Sequence, residues 1–189
     1  MSALEDLLVR CCAPTLAGIK TAGLFTAAYE ERSALLDKVR ELNRRLRGRG
    51  LRLLPLRCRE GRALLYVYRP DRLSEDLDKE DVSALLSSLG YPRSSPGNRL
   101  ACLHRRLLEG GPFPHEIGLF LGYPAEDVDG FIRHEARDCK CSGCWKVYGD
   151  AEKAKRDFAS FRRCTERCCA LRRQGFSLEA IMEMEAKSA

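Results

Sequence analysis

Leu35, Val39, Leu42 and Leu46 step by four, three and four residues. That spacing draws one apolar stripe along a helix and predicts it from about Glu30 to Arg47. Gly48 and Gly50 end it. The period then changes. "LRLLPLR" and "RALLYVYR" read as two strands joined at Glu60 and Gly61, because Leu65, Tyr66, Val67 and Tyr68 favour extended backbone. Pro55 has no N–H to give a ladder, so the first of these strands is expected at an edge.

Beyond Pro70 the helical period returns, with Val82, Leu85, Leu86 and Leu89 on one face before Gly90. "YPRSSPGN" reads as a loop. A basic helix from Arg99 to Leu108 follows and stops at Gly110-Gly111. "FPHEIGLFLGYPAEDVDGFI", Phe113 to Ile132, holds two short helices around a corner. "CWKVYG", Cys144 to Gly149, reads as another strand with Trp145 and Val147 on one face. Asp150 is a good N-cap for a long helix carrying Ala154, Phe158, Phe161, Cys164, Cys168 and Leu171. Gln174-Gly175 ends that helix, and Ser177 caps a short last one. "LGYP" occurs at Leu89 and at Leu121, but the residues around the two copies are spaced differently, so it is not a repeat.

The expected fold class is α+β, a small antiparallel sheet of about three strands flanked by several helices. One domain over 1–189 is expected, with 150–189 a C-terminal helical segment packed on it.

Composition narrows the function classes. With 44% hydrophobic and 32% charged residues, the chain is expected to fold. Glu5 and Asp6 precede the first apolar stretch, the reverse of a signal peptide's charge order. The uncharged runs Cys11 to Ile19 and Thr21 to Tyr29 are too short to span a bilayer. A cytoplasmic protein without a membrane partner is the expectation. Ten cysteines in a reducing compartment are then not a disulfide framework, which leaves core packing, metal ligation or redox chemistry.

The formal charge is +6, and Lys38 to Arg72 carries twelve Lys or Arg against Glu41, Glu60 and Asp71. Such a stretch attracts nucleic acid. A solvated arginine-rich surface gives the same count, so nucleic acid is a candidate partner that is not favoured. Gly118, Gly122 and Val128 have the arrangement of a helix-turn-helix corner. The second helix, however, opens with Glu126 and Asp127 and adds Asp129, and carboxylates there repel phosphate. They suit the positive end of a helix dipole instead.

His115 and Glu116 begin the same stretch. Imidazole protonates near neutrality and ligates metals, so a ligand or acid–base role is open. A His-Glu-x-x-His zinc-protease spacing is absent. Cys139, Cys141 and Cys144, with His134 nearby, are ligand types that a transition metal selects. Cys164 and Cys168, one helical turn apart, would supply a second arm, although they also continue an apolar stripe. Cys12, before Ala13-Pro14, would be a nucleophile or ligand if backbone N–H groups lowered its pKa. Cys141-x-x-Cys144 imitates a redox motif. There is no Gly-rich phosphate loop, serine nucleophile elbow or paired-carboxylate spacing, so the sequence names no reaction.

"CAPTLAGIKTAGLF" from Cys12, "LLYVYR" from Leu64, the Phe113 to Ile132 stretch and "GCWKVYGD" from Gly143 together resemble a bacterial family known as domain of unknown function 3793. The resemblance runs from about Cys12 to Cys164. It matches at Cys12, Pro14, Lys20, His115, Glu116, Gly118, Trp145, Lys146, Tyr148 and Cys164, and departs in "CKCSGC", where relatives are expected to carry fewer cysteines. What it implies is a setting in anaerobic Gram-positive bacteria near iron-uptake or flavodoxin genes, with no reaction attached.

The resulting expectation is an accessory protein that binds a small molecule or a metal, linked to iron or flavin metabolism. Its site would draw on Cys12, Lys20, His115, Glu116, Trp145 and Lys146, and any metal would be held by Cys139, Cys141 and Cys144. A nucleic-acid-binding protein and a thiol redox protein are the alternatives. The ligand and the oligomeric state stay open.

Overall fold

In a computed structural model describing residues 2–109 and 111–187, the helix predicted from the leucine stripe runs Arg32–Arg47 (α2) and buries Leu35, Val39, Leu42 and Leu46. The two predicted strands are Arg52–Arg59 (β2) and Arg62–Tyr68 (β3), antiparallel, with Arg59 opposite Arg62. Their turn residues Glu60 and Gly61 both have positive φ, 51° and 70°. That pairing matches the twist of a two-residue hairpin. β2 is an edge strand, as Pro55 requires, and the register slips between Pro55 and Arg57.

The third strand of this sheet is Ala22–Ala28 (β1), in the order β1-β3-β2. It was expected at Cys144 to Gly149 instead. Those residues belong to a separate two-strand ladder of Cys141–Ser142 (β4) and Lys146–Val147 (β5). β1 reads "AGLFTAA", mostly small residues of low strand propensity. The fold class is α+β, with nine helices among the described residues.

The chain groups into two compact units, residues 1–70 with 160–189 and residues 71–159. In the first unit Ala3–Leu16 (α1) and α2 cover the sheet face formed by Phe25, Leu53, Leu65 and Val67. Residues 160–173 of the long helix Ala151–Arg173 (α8), and Leu178–Ala186 (α9), complete this core with Cys164, Cys168, Leu178, Ile181 and Met182. Ser177 caps α9 by accepting from the Ala180 N–H at 3.2 Å. α1 is broken at Cys12, where φ is −131°, two residues before Pro14. Proline removes one helical N–H and crowds the preceding turn.

Buried charges tie the four helices of this unit together. Glu5 of α1 accepts from Arg172 of α8 at 2.8 Å and from Arg45 of α2 at 2.6 Å. Arg45 also reaches Glu179 of α9, at 2.6 Å, and Arg172 reaches Asp6, at 2.7 Å. Arg69 donates to the carbonyls of Thr15 at 2.9 Å and Leu16 at 2.7 Å, closing the C-terminal end of α1.

The second unit contains Pro70–Asp78 (α3, from its second residue), Glu80–Ser88 (α4), Pro96–Leu108 (α5), Ile117–Phe120 (α6), Ala125–Arg133 (α7), β4, β5 and the first turns of α8. Ser95 caps α5 through the Asn98 N–H, so the helix starts inside the predicted loop. Gly110, expected with Gly111 to end α5, lies outside the described residues. Asp150 caps α8 by accepting from the Lys153 N–H at 2.9 Å.

Arg172 and Glu5 are 7% and 8% exposed, so removing one leaves the other charged in a poorly solvated place. Arg172→Ala is expected to lower stability by about 3 kcal/mol in urea unfolding, the low end for a broken buried pair because Arg45 still holds Glu5. The hydrogen bond from Arg45 holds Glu179 below the ordinary carboxylate range. A carboxylate with a depressed folded-state pKa stabilises above its unfolded value and loses that contribution as pH falls through the folded one. Wild type should therefore lose stability on acidification below about pH 5, and Glu179→Gln should lose less over the same interval in parallel urea titrations.

Candidate functional site

Asp127 stands in the first turn of α7 and was read from sequence as an acid suited to the helix dipole. Its side chain turns inward and is 2% exposed. One oxygen accepts from the Trp145 Nε1–H at 2.7 Å. The other accepts from the backbone N–H of Tyr148 at 2.7 Å and of Gly149 at 2.8 Å. The three donors offset the carboxylate's desolvation and lock residues 145–149 onto α7.

Around this anchor, residues of α6, α7 and the β4–β5 segment line a cleft of about 170 Å³. Trp145 stacks on Tyr123, ring centres 4.7 Å apart at 27°, and meets Phe158 edge-on at 4.5 Å. His115 tilts against Phe131 at 4.9 Å. Ile117, Leu121 and Val128 complete the apolar wall, and Cys144 and Lys146 stand at the lining with His115. The corner between α6 and α7 is tight because Gly118 lies under Val128. A Cβ on Gly118 would sit 2.8 Å from a Val128 methyl.

The expected site residues are thus distributed over both units. His115, Trp145 and Lys146 meet at the cleft. The Lys146 ammonium donates to the Ala136 carbonyl at 2.5 Å, and Tyr148 O–H donates to the Arg137 carbonyl at 2.8 Å. Both hold a turn in which Glu135, Ala136 and Asp138 have positive φ of 48°, 65° and 57°. Such conformations cost on the order of 1 kcal/mol each in non-glycine residues and persist only where the surroundings enforce them. Glu116 is buried and accepts from Tyr91 at 2.9 Å and Arg106 at 2.8 Å. Burial, with the Glu116 carboxylate beside it, pushes the Tyr91 phenol above its usual pKa.

Cys12 and Lys20 belong to the first unit. Cys12 is 1% exposed, and burial drives its thiol well above the ordinary range. The activated thiolate considered from sequence is therefore replaced by a packed thiol. Its sulfur fills the space over Gly23, where a Cβ would come within 2.6 Å. The Lys20 ammonium donates to the Ala22 carbonyl.

Among the described residues, the group of three potential metal ligands with mutually close donor atoms is Cys164, Cys168 and Glu185. Cys139, Cys141 and Cys144 do not form such a group, since Cys144 is exposed at the cleft and Cys141 sits in the β4 ladder opposite Val147. His134 stacks on Tyr148 at 5.5 Å. Part of the basic stretch is paired within the chain. Arg40 pairs with Asp37, Arg45 with Glu5 and Glu179, Arg49 with Glu183 and Arg59 with Glu60, while Arg69 caps carbonyls. Asp127 escaped sequence reasoning because its partners lie 18 to 22 residues away. The lone tryptophan beside "KVYG", after a helix that opens with carboxylates, was the available signal.

An α+β protein with an aromatic cleft in its second unit is what these elements define. The chain belongs to the family described as Protein of unknown function (DUF3793), which it matches over residues 8–182. No curated protein and no solved structure matches it. No helix among the described residues is long and apolar enough to cross a membrane.

Trp145 is the chain's single tryptophan, so its emission reports the anchor directly. In Asp127→Asn the amide presents either its NH₂ to the indole N–H or to the two backbone donors, and one side of the anchor is lost. The expected outcome is a red shift of Trp145 emission together with a loss of about 2–3 kcal/mol in urea unfolding, the scale of hydrogen bonds to a charged group.

Proposed function

We propose that the protein binds a small planar molecule in the cleft of its second unit and serves as an accessory binding protein. The observation that carries this reading is the aromatic lining itself: His115, Tyr123, Phe131 and Trp145 converge on one concavity whose base is fixed by Asp127. Ligand sites are concave, largely apolar and carry a few placed polar groups. A pocket of this composition offers ring stacking and edge contacts to a flat ligand. His115, exposed at the mouth, adds a polar contact that selects its edge.

The volume of about 170 Å³ sets the ligand's size. An apolar cavity of roughly 150 Å³ holds benzene, so the enclosed part accepts one aromatic ring with its remaining substituents outside. A free-standing ring or the end ring of a larger cofactor such as a flavin satisfies this. The link to iron or flavin metabolism stays part of the proposal in that form. The reading stands ahead of nucleic-acid binding because Arg45, Arg49 and Arg69, in the middle of the basic stretch, already hold internal partners.

Titration of the protein with indole, nicotinamide, pterin and riboflavin, followed by Trp145 emission and equilibrium dialysis, tests the proposal. A saturable change with one of these, weakened about tenfold or more in His115→Ala or Phe131→Ala, supports it. Absence of saturable binding across the panel, or binding indifferent to both substitutions, would remove the cleft as the site.

A further inference from the structure

The first unit buries a second concentration of chemistry, unconnected with the cleft's aromatic residues. Cys164 and Cys168 lie one turn apart on α8 and are 3% and 0% exposed. Glu185 of α9 faces them and is 3% exposed. One sulfur, one sulfur and one carboxylate oxygen all fall within 4.8 Å of one another. The α8–α9 turn at Gln174 and Gly175 brings the two helices antiparallel, so i, i+4 ligands from one helix meet a third from the other.

The buried face of α9 is Leu178, Ile181, Met182 and Glu185. The spacing asks for an apolar residue at the last position, and the chain supplies a carboxylate aimed at two thiols. Cys164 Sγ stands 3.6 Å from Glu185 Oε2. For a tetrahedral zinc with bonds of about 2.3 Å to sulfur and about 2.0 Å to oxygen, the sulfur–oxygen separation is about 3.5 Å. The cluster is already near that spacing.

Charge and orientation also fit. Arg167, one turn before Leu171 on α8, donates through Nε to Glu185 Oε1 at 2.5 Å and through its second nitrogen to Oε2. An outer-shell donor of this kind fixes a ligating carboxylate. Two thiolates and one carboxylate carry three negative charges, which a divalent ion and the Arg167 guanidinium balance without remainder. Binding displaces the two thiol protons to solvent, and no electron is transferred.

We infer that Cys164, Cys168 and Glu185 form a binding site for a divalent, thiolate-preferring metal ion of the zinc class, with Arg167 orienting the carboxylate. Thiolates select zinc over magnesium or calcium. Three protein ligands leave one tetrahedral position for a further ligand. The site is separate from "CKCSGC" and does not need Cys139, Cys141 or Cys144.

The test is anaerobic titration of reduced, chelator-treated full-length protein with Co²⁺, read by thiolate-to-cobalt charge transfer and tetrahedral ligand-field absorption, followed by displacement with Zn²⁺. One equivalent of cobalt is expected, with the signal abolished in Cys168→Ala and Glu185→Gln. Affinity should fall about tenfold or more in Arg167→Gln, which alters only the outer shell of the site. Cys141→Ser and Cys144→Ser should leave all of it in place. Circular dichroism of each variant establishes that it is folded, and the wild-type titration stands by itself if a core variant is not. No tetrahedral cobalt signal in wild type overturns the inference. So does a signal that survives Cys168→Ala or vanishes with Cys141→Ser, or a Cys164–Cys168 disulfide in protein that takes up no metal after reduction.

Discussion

Ending a helix leaves carbonyl oxygens without intrahelical partners, and this chain meets that constraint at the ends of α1 to α4 with arginine reaching in from another element. Arg69, just past β3, donates to Thr15 and Leu16 at the end of α1 and to Arg49 after α2. Arg99 of α5 donates to Leu77 at the end of α3, and Arg106 of α5 to Leu89 at the end of α4. Each cation also meets the negative end of a helix dipole. One interaction type thus both caps helices and fixes which strand or helix crosses which end. Of the two lysines that the resemblance singled out, Lys146 donates to Ala136 just past α7, and Lys20 to Ala22 at the start of β1.

These contacts engage part of the charge of the basic stretch, where Arg45 and Arg69 hold partners within their unit. A cluster of arginines in sequence becomes a phosphate-binding surface only if the side chains end in solvent with their donors unspent. Here the guanidinium groups of Arg45, Arg69, Arg99, Arg106 and Arg172 end on carbonyls or carboxylates of their own unit. Most basic residues between Lys38 and Arg72, among them Lys38, Arg44, Arg47, Arg57, Arg62 and Arg72, are exposed.

What could be read from sequence follows from which interactions are local. The α2 stripe, the hairpin at Glu60 and Gly61, the edge position of Pro55 and the caps at Asp150 and Ser177 depend on residues within a few positions of one another. All of them stand in the structure. β1 was hidden because Ala22, Gly23 and Ala27 carry little strand signal and gain their conformation from pairing with Tyr68, Val67 and Ala63 of β3, far along the chain. Asp127 was legible as a helix-start acid, since the dipole argument is local. Its inward rotamer is decided by Trp145, Tyr148 and Gly149. Cys12 misled for a similar reason. Proximity to Pro14 pointed to an open helix start; α1 does kink at Cys12, but the sulfur there is buried over Gly23.

Asp127 also shows how a site can be built from a stability device. A carboxylate held by three N–H donors is rigid, and rigidity passes to the indole that forms one of those bonds. Trp145 also meets Phe158 edge-on, while Tyr123 stacks against it. Its nitrogen is committed to α7, and it stands half-buried with His115 and Phe131 in the lining of a concavity. The turn at residues 135–138 is strained and is held by donors from the same β5 segment. Conformational strain of this kind is retained where the surrounding contacts over-determine the backbone. The second unit therefore spends a buried charge, a strained turn and its only tryptophan on one short segment, residues 145–149, and the cleft is what that expenditure shapes.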